Sequence, residues 1–286
     1  LDVAPRRCEA WLMTGRAVLT TGANSGIGLA VAVEVARAGF HSVATVRSPA
    51  KAEVVARAAE EAGVQVETLL LEVTDTQGCA RVVDGLELYG LVNNAGYTNV
   101  GAIEDVSDDD VRHQLETMVV APMRLARLAL PAMRDAGEGR IVNISSIYGR
   151  ATTPLSGWYQ ASKHALEAAS DALRIEVAGS GVKVVLVEPG GFRTGIWDEL
   201  ERDVERRSDS AYARAYRRSV DLSRRSQVLM GEPGKVARVI VDGTKALFVD
   251  RDIYETLYEF ESGASFRGIE VEYHHVFGKE RAPTVP

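Results

Sequence analysis

The chain has 286 residues, 46% of them apolar and 26% charged, and a net charge of −7. An acidic chain of this ordinary globular balance excludes a nucleic-acid backbone as its natural partner, and no apolar run is long enough to predict a membrane helix. Its two cysteines, Cys8 and Cys79, have no paired metal-like spacing, which argues against a disulfide scaffold and fits a reducing cytoplasm. Residues 1–12 lack a signal-peptide core and read as an extension ahead of Met13, leaving 13–286 as one domain. The first element is a buried strand over residues 16–21, RAVLTT. It runs into Gly22, Ala23, Asn24, Ser25, Gly26, Ile27 and Gly28, then into a helix reaching Ala38. A strand, a glycine-rich turn and a helix start make a phosphate site: glycine permits the tight turn, and the helix N-terminus offers free N–H groups. The second strand, Ser42 to Val46, ends at Arg47. An NAD site usually has a carboxylate about 20 residues beyond the glycines, on the ribose 2′-hydroxyl. None stands at Thr45, Val46 or Arg47, whereas the Arg47 guanidinium suits a 2′-phosphate and Ser25 across the turn adds a hydroxyl, so the expected cofactor is NADP rather than NAD.

A helix over 50–62 leads to a third strand, 66–71, and then to Glu72, Val73 and Asp75, the last reading as the N-cap of a short helix. The fourth strand, about 88–92, ends in Asn93, Asn94, Ala95 and Gly96, either a plain turn or a turn against a ligand at the sheet's carboxyl edge. Ser107 caps a long helix to about Met133, and a fifth strand over 139–144 precedes Ser146. A serine after a strand is commonly a turn former, yet its hydroxyl can also orient a carbonyl. A helix then runs to about Ala178, and a sixth strand over 182–188 closes at Pro189, Gly190 and Thr194. Six alternations of strand and helix without a change of composition predict one doubly wound α/β domain, Rossmann-like, with a parallel sheet covered on both faces. Residues 195–230 are arginine-rich and read as a solvated helical pair or as a flap over a substrate; 232–247 predict a helix and 268–275 a last strand. His274 and His275 have no accompanying ligand cluster, so no metal is expected.

Tyr159 and Lys163 lie four residues apart in the helix, on one face and one turn from each other. Such a pair can be a packed ring with a solvated amine. It can equally be a general acid/base, because an ammonium at about 4 Å can bring a phenol from a pKa of about 10 toward neutrality.

Together these residues resemble the short-chain dehydrogenase/reductase family, in its single-domain branch, from about residue 14 to 247. The residues from Thr21 to Gly28 match its TGxxxGxG turn, Asn93 to Gly96 its sheet-supporting motif, and Tyr159 to Lys163 its YxASK, with Ser146 at the family's thirteen-residue interval. The resemblance implies that Ser146, Tyr159 and Lys163 are catalytic. It implies that Gly22, Asn24, Ser25, Gly26, Ile27, Gly28, Arg47, Glu72, Val73, Asn94, Ala95, Gly96, Tyr159, Lys163, Pro189, Gly190 and Thr194 hold the cofactor. The implied activity is NADP-dependent hydride transfer to or from a secondary alcohol or ketone in a cytoplasmic homodimer or homotetramer, with Lys163 lowering the tyrosine pKa. Met118 departs from the family at the relay asparagine, and Glu72 replaces its adenine-contacting aspartate. Because a thioether cannot replace an amide's hydrogen bonds, a nucleotide-binding regulatory protein with impaired catalysis is the alternative.

Overall fold

The computed structural model describes residues 16–192, 204, 206–207, 209–226 and 230–241. Six parallel strands form one sheet: β1 Ala17–Thr20, β2 His41–Val46, β3 Glu67–Leu70, β4 Leu88–Asn93, β5 Gly139–Ile144 and β6 Val182–Val187. Their order is β3-β2-β1-β4-β5-β6, the doubly wound arrangement expected from the alternation. The winding of the chain reverses between β1 and β4 while the strands stay parallel, and in sheets of this kind ligands bind at the carboxyl edge beside that switch point.

The helices follow from the same sequence signals. In α1 (Gly26–Arg37), Val31 and Val35 recur on the buried face, and with Ala237 of α8 (Pro233–Val241) they cover Val18, Val92 and Val142 of the strands. On the opposite face, Leu19, Leu91 and Ile141 meet Leu125, Ala129 and Met133 of α5 (Ala121–Asp135), beside Cys79 and Val83 of α3 (Thr76–Asp84). Successive strand residues thus feed opposite layers, as the two-residue strand period requires. Each fully buried Leu or Val contributes about 1.5–3 kcal/mol. In α2 (Pro49–Ala62), Pro49 supplies a preformed first turn and Gly63, at φ +65°, closes the helix in the left-handed region. Asp75 caps α3 by accepting from the Gln77 N–H at 3.0 Å, as its position predicted.

The long helix expected after Ser107 is interrupted. Ser107 does cap α4 (Asp108–Leu115), but residues Glu116–Val120 form a π-turn before α5 begins. Pro122 explains the break: it has no N–H for the Met118 carbonyl, and the Ala121 N–H bonds back to the Glu116 carbonyl instead. The next helix, α6 (Gly157–Glu176), stops two residues short of the expected end. Along the chain from the sixth strand, α7 covers Ala213–Ser226, and the helix expected over 232–247 is described as α8 up to Val241. These elements belong to one compact unit that ends at Val241. The expected last strand over 268–275, the extension over 1–12, the one-domain reading beyond 241 and Thr194 fall outside the described residues.

Where β4 and β5 reach the carboxyl edge, their inward side chains turn polar. Asn93 and Asn143 face each other across the ladder, and the Asn93 amide donates to Asn143 Oδ1 at 2.8 Å. The Asn143 amide donates in turn to Ser170 Oγ of α6 at 2.8 Å, and Ser170 donates to the Leu166 carbonyl. All three side chains are buried, so the chain of bonds fixes α6 against the sheet's centre.

Candidate active site

The carboxyl ends of β1, β4, β5 and β6 carry the glycine turn, Asn94–Gly96, Ser146 and Pro189–Gly190 to one edge of the sheet. Gly22 adopts φ +64°, and a Cβ there would lie 2.8 Å from the Ala95 Cα. A Cβ on Gly28 would collide with the Asn94 side-chain amide and stand 2.6 Å from the Gly22 carbonyl. These two glycines let β1's turn lie directly on the loop after β4. The Asn94 amide donates to the carbonyls of Thr21 (3.0 Å) and Gly22 (3.1 Å), while Thr21 Oγ1 accepts from the N–H groups of Asn94 and Ala95. Asn94 therefore shapes the turn by using its amide on backbone carbonyls.

The residues present fit a dinucleotide. Ser25 occupies the N-cap of α1 in extended conformation, yet its exposed hydroxyl caps no helix N–H, and the first turn carries no acidic side chain. The positive end of α1 is thus open to an anion beside a free hydroxyl. Gly26, at φ +55°, starts the helix; Asn24 and Ile27 are half-buried, Ile27 packing on the Val31 layer. Arg47 is exposed at the end of β2, 3.9 Å from the Glu72 carboxylate, too far for a hydrogen bond. Such an exposed pair holds the guanidinium only weakly and leaves it able to turn to a phosphate. Val73 differs in kind: it is buried in the core, and its carbonyl accepts from Arg124 Nη1 at 3.1 Å and from Cys79 Sγ. On the far side, the Pro189 carbonyl accepts from the Ile147 N–H at 3.1 Å, and a Cβ on Gly190 would meet nothing within 4 Å.

Ser146, Tyr159 and Lys163 come together. Ser146 Oγ accepts from the Tyr148 N–H at 3.2 Å, which closes its own turn, and the hydroxyl stands close enough to the Tyr159 phenol to favour its ionised form. Tyr148 packs edge-on to Tyr159, with centroids 6.4 Å apart and rings at 86°. The Lys163 Nζ lies 5.8 Å from the Tyr159 ring centroid and donates to the Ile144 carbonyl at 2.7 Å. The electrostatics correct one expectation. Burial pushes the Tyr159 pKa up, the Ser146 hydrogen bond only partly opposes it, and Tyr148 adds to the rise. Lys163 is not among the groups that set it, because its own ammonium is desolvated: burial brings its pKa down to about 8, with Glu167 opposing the fall. The phenol is therefore held in its protonated form rather than made acidic.

Met118 is buried in the π-turn, and a Cβ on Gly96 would stand 3.6 Å from its terminal methyl, so the thioether fills space behind the loop after β4. Three groups escaped sequence reasoning. Leu155, ahead of α6, holds φ +66°, a strained setting for a bulky residue, and its carbonyl accepts from the Gly101 N–H at 2.8 Å. Tyr216 of α7 is buried with Val100, Ala102 and Leu155, donates to Asp105 Oδ2 at 2.6 Å and accepts from the Ala102 N–H at 2.6 Å; Ser210 donates to the same carboxylate. This anchors α7 to the loop after β4 through Tyr216, while Arg214, Arg217 and Arg218 of the same helix stay exposed. The third is Glu167, buried two turns beyond Tyr159 on α6. The four-residue spacing of Tyr159, Lys163 and Glu167 was the available signal for it.

A dinucleotide-binding α/β sheet with a serine, a tyrosine and a lysine at its carboxyl edge defines the class. The profile of the short chain dehydrogenase family matches residues 16–205, and the chain belongs to that family. It is 36% identical over 236 residues to "Uncharacterized oxidoreductase YusZ" of Bacillus subtilis, covering 80% of this chain and 84% of that one. The crystal structure of a single-residue variant of actinorhodin polyketide ketoreductase with NADPH superposes with a TM-score of 0.70 at 27% identity, covering 82% of this chain and 93% of that one. A short-chain dehydrogenase from Sphingobium yanoikuyae in complex with NADPH gives a TM-score of 0.69 at 25% identity, with 92% and 100% covered. Among the described residues no helix is long and apolar enough to cross a membrane, and no cluster of three or more His, Cys, Asp or Glu could hold a metal.

Proposed function

We propose that this member of the family is an NADP-dependent oxidoreductase that interconverts a ketone and a secondary alcohol, with Tyr159 transferring the proton. The observation that carries the reading is the gathering of Ser146 and Lys163, whose Nζ lies 5.8 Å from the ring, around a Tyr159 phenol that burial keeps protonated. A reduced nicotinamide supplies a hydride to the substrate carbon. Ser146 then orients the carbonyl oxygen, and Tyr159 gives that oxygen its proton, the form of the phenol that ketone reduction consumes. Lys163 supports the developing charge from behind the ring. Two relatives crystallised with NADPH, one of them a polyketide ketoreductase, support the cofactor and the ketone. Ser25, the open end of α1 and Arg47 are the groups for the phosphates, and Thr194 with Pro189 and Gly190 remains the proposed nicotinamide edge. Assembly as a homodimer or homotetramer in the cytoplasm completes the reading.

The test is an absorbance assay at the reduced-nicotinamide band over a panel of ketones and alcohols, with NADPH and NADH. Tyr159→Phe is expected to lower kcat by about a thousandfold with cofactor affinity within about twofold. Activity near wild type in that variant removes the proton-transfer role. Arg47→Ala is expected to weaken NADPH binding by about tenfold and NADH binding little, since only one carries a 2′-phosphate for a charge-assisted bond. Equal losses reject the contact.

A further inference from the structure

The inner face of α6 carries Tyr159, Lys163 and Glu167 at four-residue intervals, so three polar side chains stack one turn apart along β5. The deepest is the least expected. Glu167 is 4% exposed, and among the described residues neither carboxylate oxygen accepts a hydrogen bond. A buried carboxylate without hydrogen bonds is costly unless a cation compensates it, and an apolar side chain of the same size would fill the space without that cost. Packing alone therefore does not account for Glu167.

The groups around it come from three elements. Arg150, in the loop after β5, places Nη2 3.3 Å from Glu167 Oε2, and its Nε lies 3.3 Å from Oε1 of Glu188 at the end of β6. Ser145, also in that loop, has a buried hydroxyl with no partner among the described residues; it and Glu167 Oε1 both lie within 2.8 Å of the place a Gly149 Cβ would occupy. On α6 itself, Lys163 precedes Glu167 by one turn and Asp171 follows it by one. Arg150 is half-exposed and shared between two carboxylates. Lys163 is 6% exposed and, among the described residues, has one hydrogen-bond partner, the Ile144 carbonyl. Glu167 is the charged group that favours its ionised form.

We propose that Glu167 is a positioning residue: its buried carboxylate, fixed by Arg150, is the counter-charge that holds the Lys163 ammonium in place behind Tyr159. The role rests on the reading of Tyr159 and Lys163 as the proton-handling pair. Without the carboxylate the ammonium faces only a carbonyl dipole in a desolvated site and releases its proton at lower pH. Activity then fails on the alkaline side earlier than in the wild type.

The experiment is the pH profile of kcat/KM for ketone reduction by the full chain, for wild type, Glu167→Gln, Glu167→Asp and Tyr159→Phe. In Glu167→Gln the alkaline limb is expected to move down by about one pH unit, a loss of about fivefold at pH 8 that approaches about tenfold above pH 9 and vanishes toward pH 6. Glu167→Asp, which keeps the charge, is expected to hold the limb within about 0.3 unit of wild type. If the glutamine variant does not fold, Glu167→Met fills the volume and is expected to give the same displaced limb. A limb at the wild-type position in the neutral variants, with only folded yield or Tm reduced, overturns the proposal while Tyr159→Phe remains inactive. Retained activity in Tyr159→Phe instead overturns the proton-transfer reading beneath it.

Discussion

At the glycine turn after β1, the structure depends on atoms that are missing: Gly22 and Gly28 let two loops touch, and the bonds that hold them run from one amide, one hydroxyl and backbone groups. On the inner face of α6 it depends on atoms that are present and expensive to bury: Lys163, Glu167, Ser170 and Gln160, all under 9% exposed. The first region tolerates no additions and the second no deletions. A cofactor common to many proteins is met by backbone geometry, whereas proton handling needs charges fixed in a poor dielectric.

The largest expected effect tests the turn. Gly28→Ala forces a methyl into the Asn94 amide and the Gly22 carbonyl, and is expected to cost about 3 kcal/mol or more and to abolish dinucleotide binding. Thermal unfolding and cofactor titration of the variant read both; a Tm within a degree of wild type breaks the account of that region.

The next concerns the opposite region and has a sign. Lys163 has a pKa of about 8 when folded against an ordinary value of 10.5. Below pH 8 it is charged in both states, and the folded protein carries the cost of burying that charge. Between 8 and 10.5 the unfolded chain holds a proton the folded one has released, so stability rises with pH by about 3 kcal/mol. The difference in unfolding free energy between wild type and Lys163→Met, followed by denaturant titration, is expected to show that rise. A difference independent of pH contradicts it.

A smaller effect belongs to the anchor on Asp105. Tyr216→Phe removes a hydrogen bond to a carboxylate and is expected to cost about 1–2 kcal/mol while leaving cofactor affinity unchanged. The Asp105 carboxyl is held below its usual 3.8 by the hydrogen bonds from Ser210 and then Tyr216, so this stability is present above pH 3.8 and is lost as the pH falls through the lowered value. Acid unfolding of the variant is expected to begin closer to pH 4 than that of the wild type. Coincident acid transitions contradict the anchor.

The six strands, the glycine turn and the Ser146–Tyr159–Lys163 constellation were legible because each is written in local sequence: a two-residue or four-residue period, a capping serine, a turn of small residues. The π-turn was legible only in hindsight through Pro122, whose missing N–H acts on the carbonyl four residues back. Other features join residues far apart in the chain and leave no period. Tyr216 bonds Asp105 across 111 positions, and Asn93 bonds Asn143 across 50. The direction of the Tyr159 pKa was misjudged for a related reason. Spacing places an ammonium near the ring, but that ammonium is itself buried, and the burial that raises the phenol's pKa comes from the whole surrounding fold.

The central claim is that Ser146, Tyr159 and Lys163 complete a hydride transfer begun on a nicotinamide at the sheet's carboxyl edge. Its most direct test is to supply NADPH deuterated at the transferable position with a reducible ketone, and to analyse the alcohol by mass spectrometry. The account predicts one deuterium on the carbinol carbon with wild-type protein and no labelled alcohol above background with Tyr159→Phe. Labelled alcohol formed equally by both proteins would contradict it.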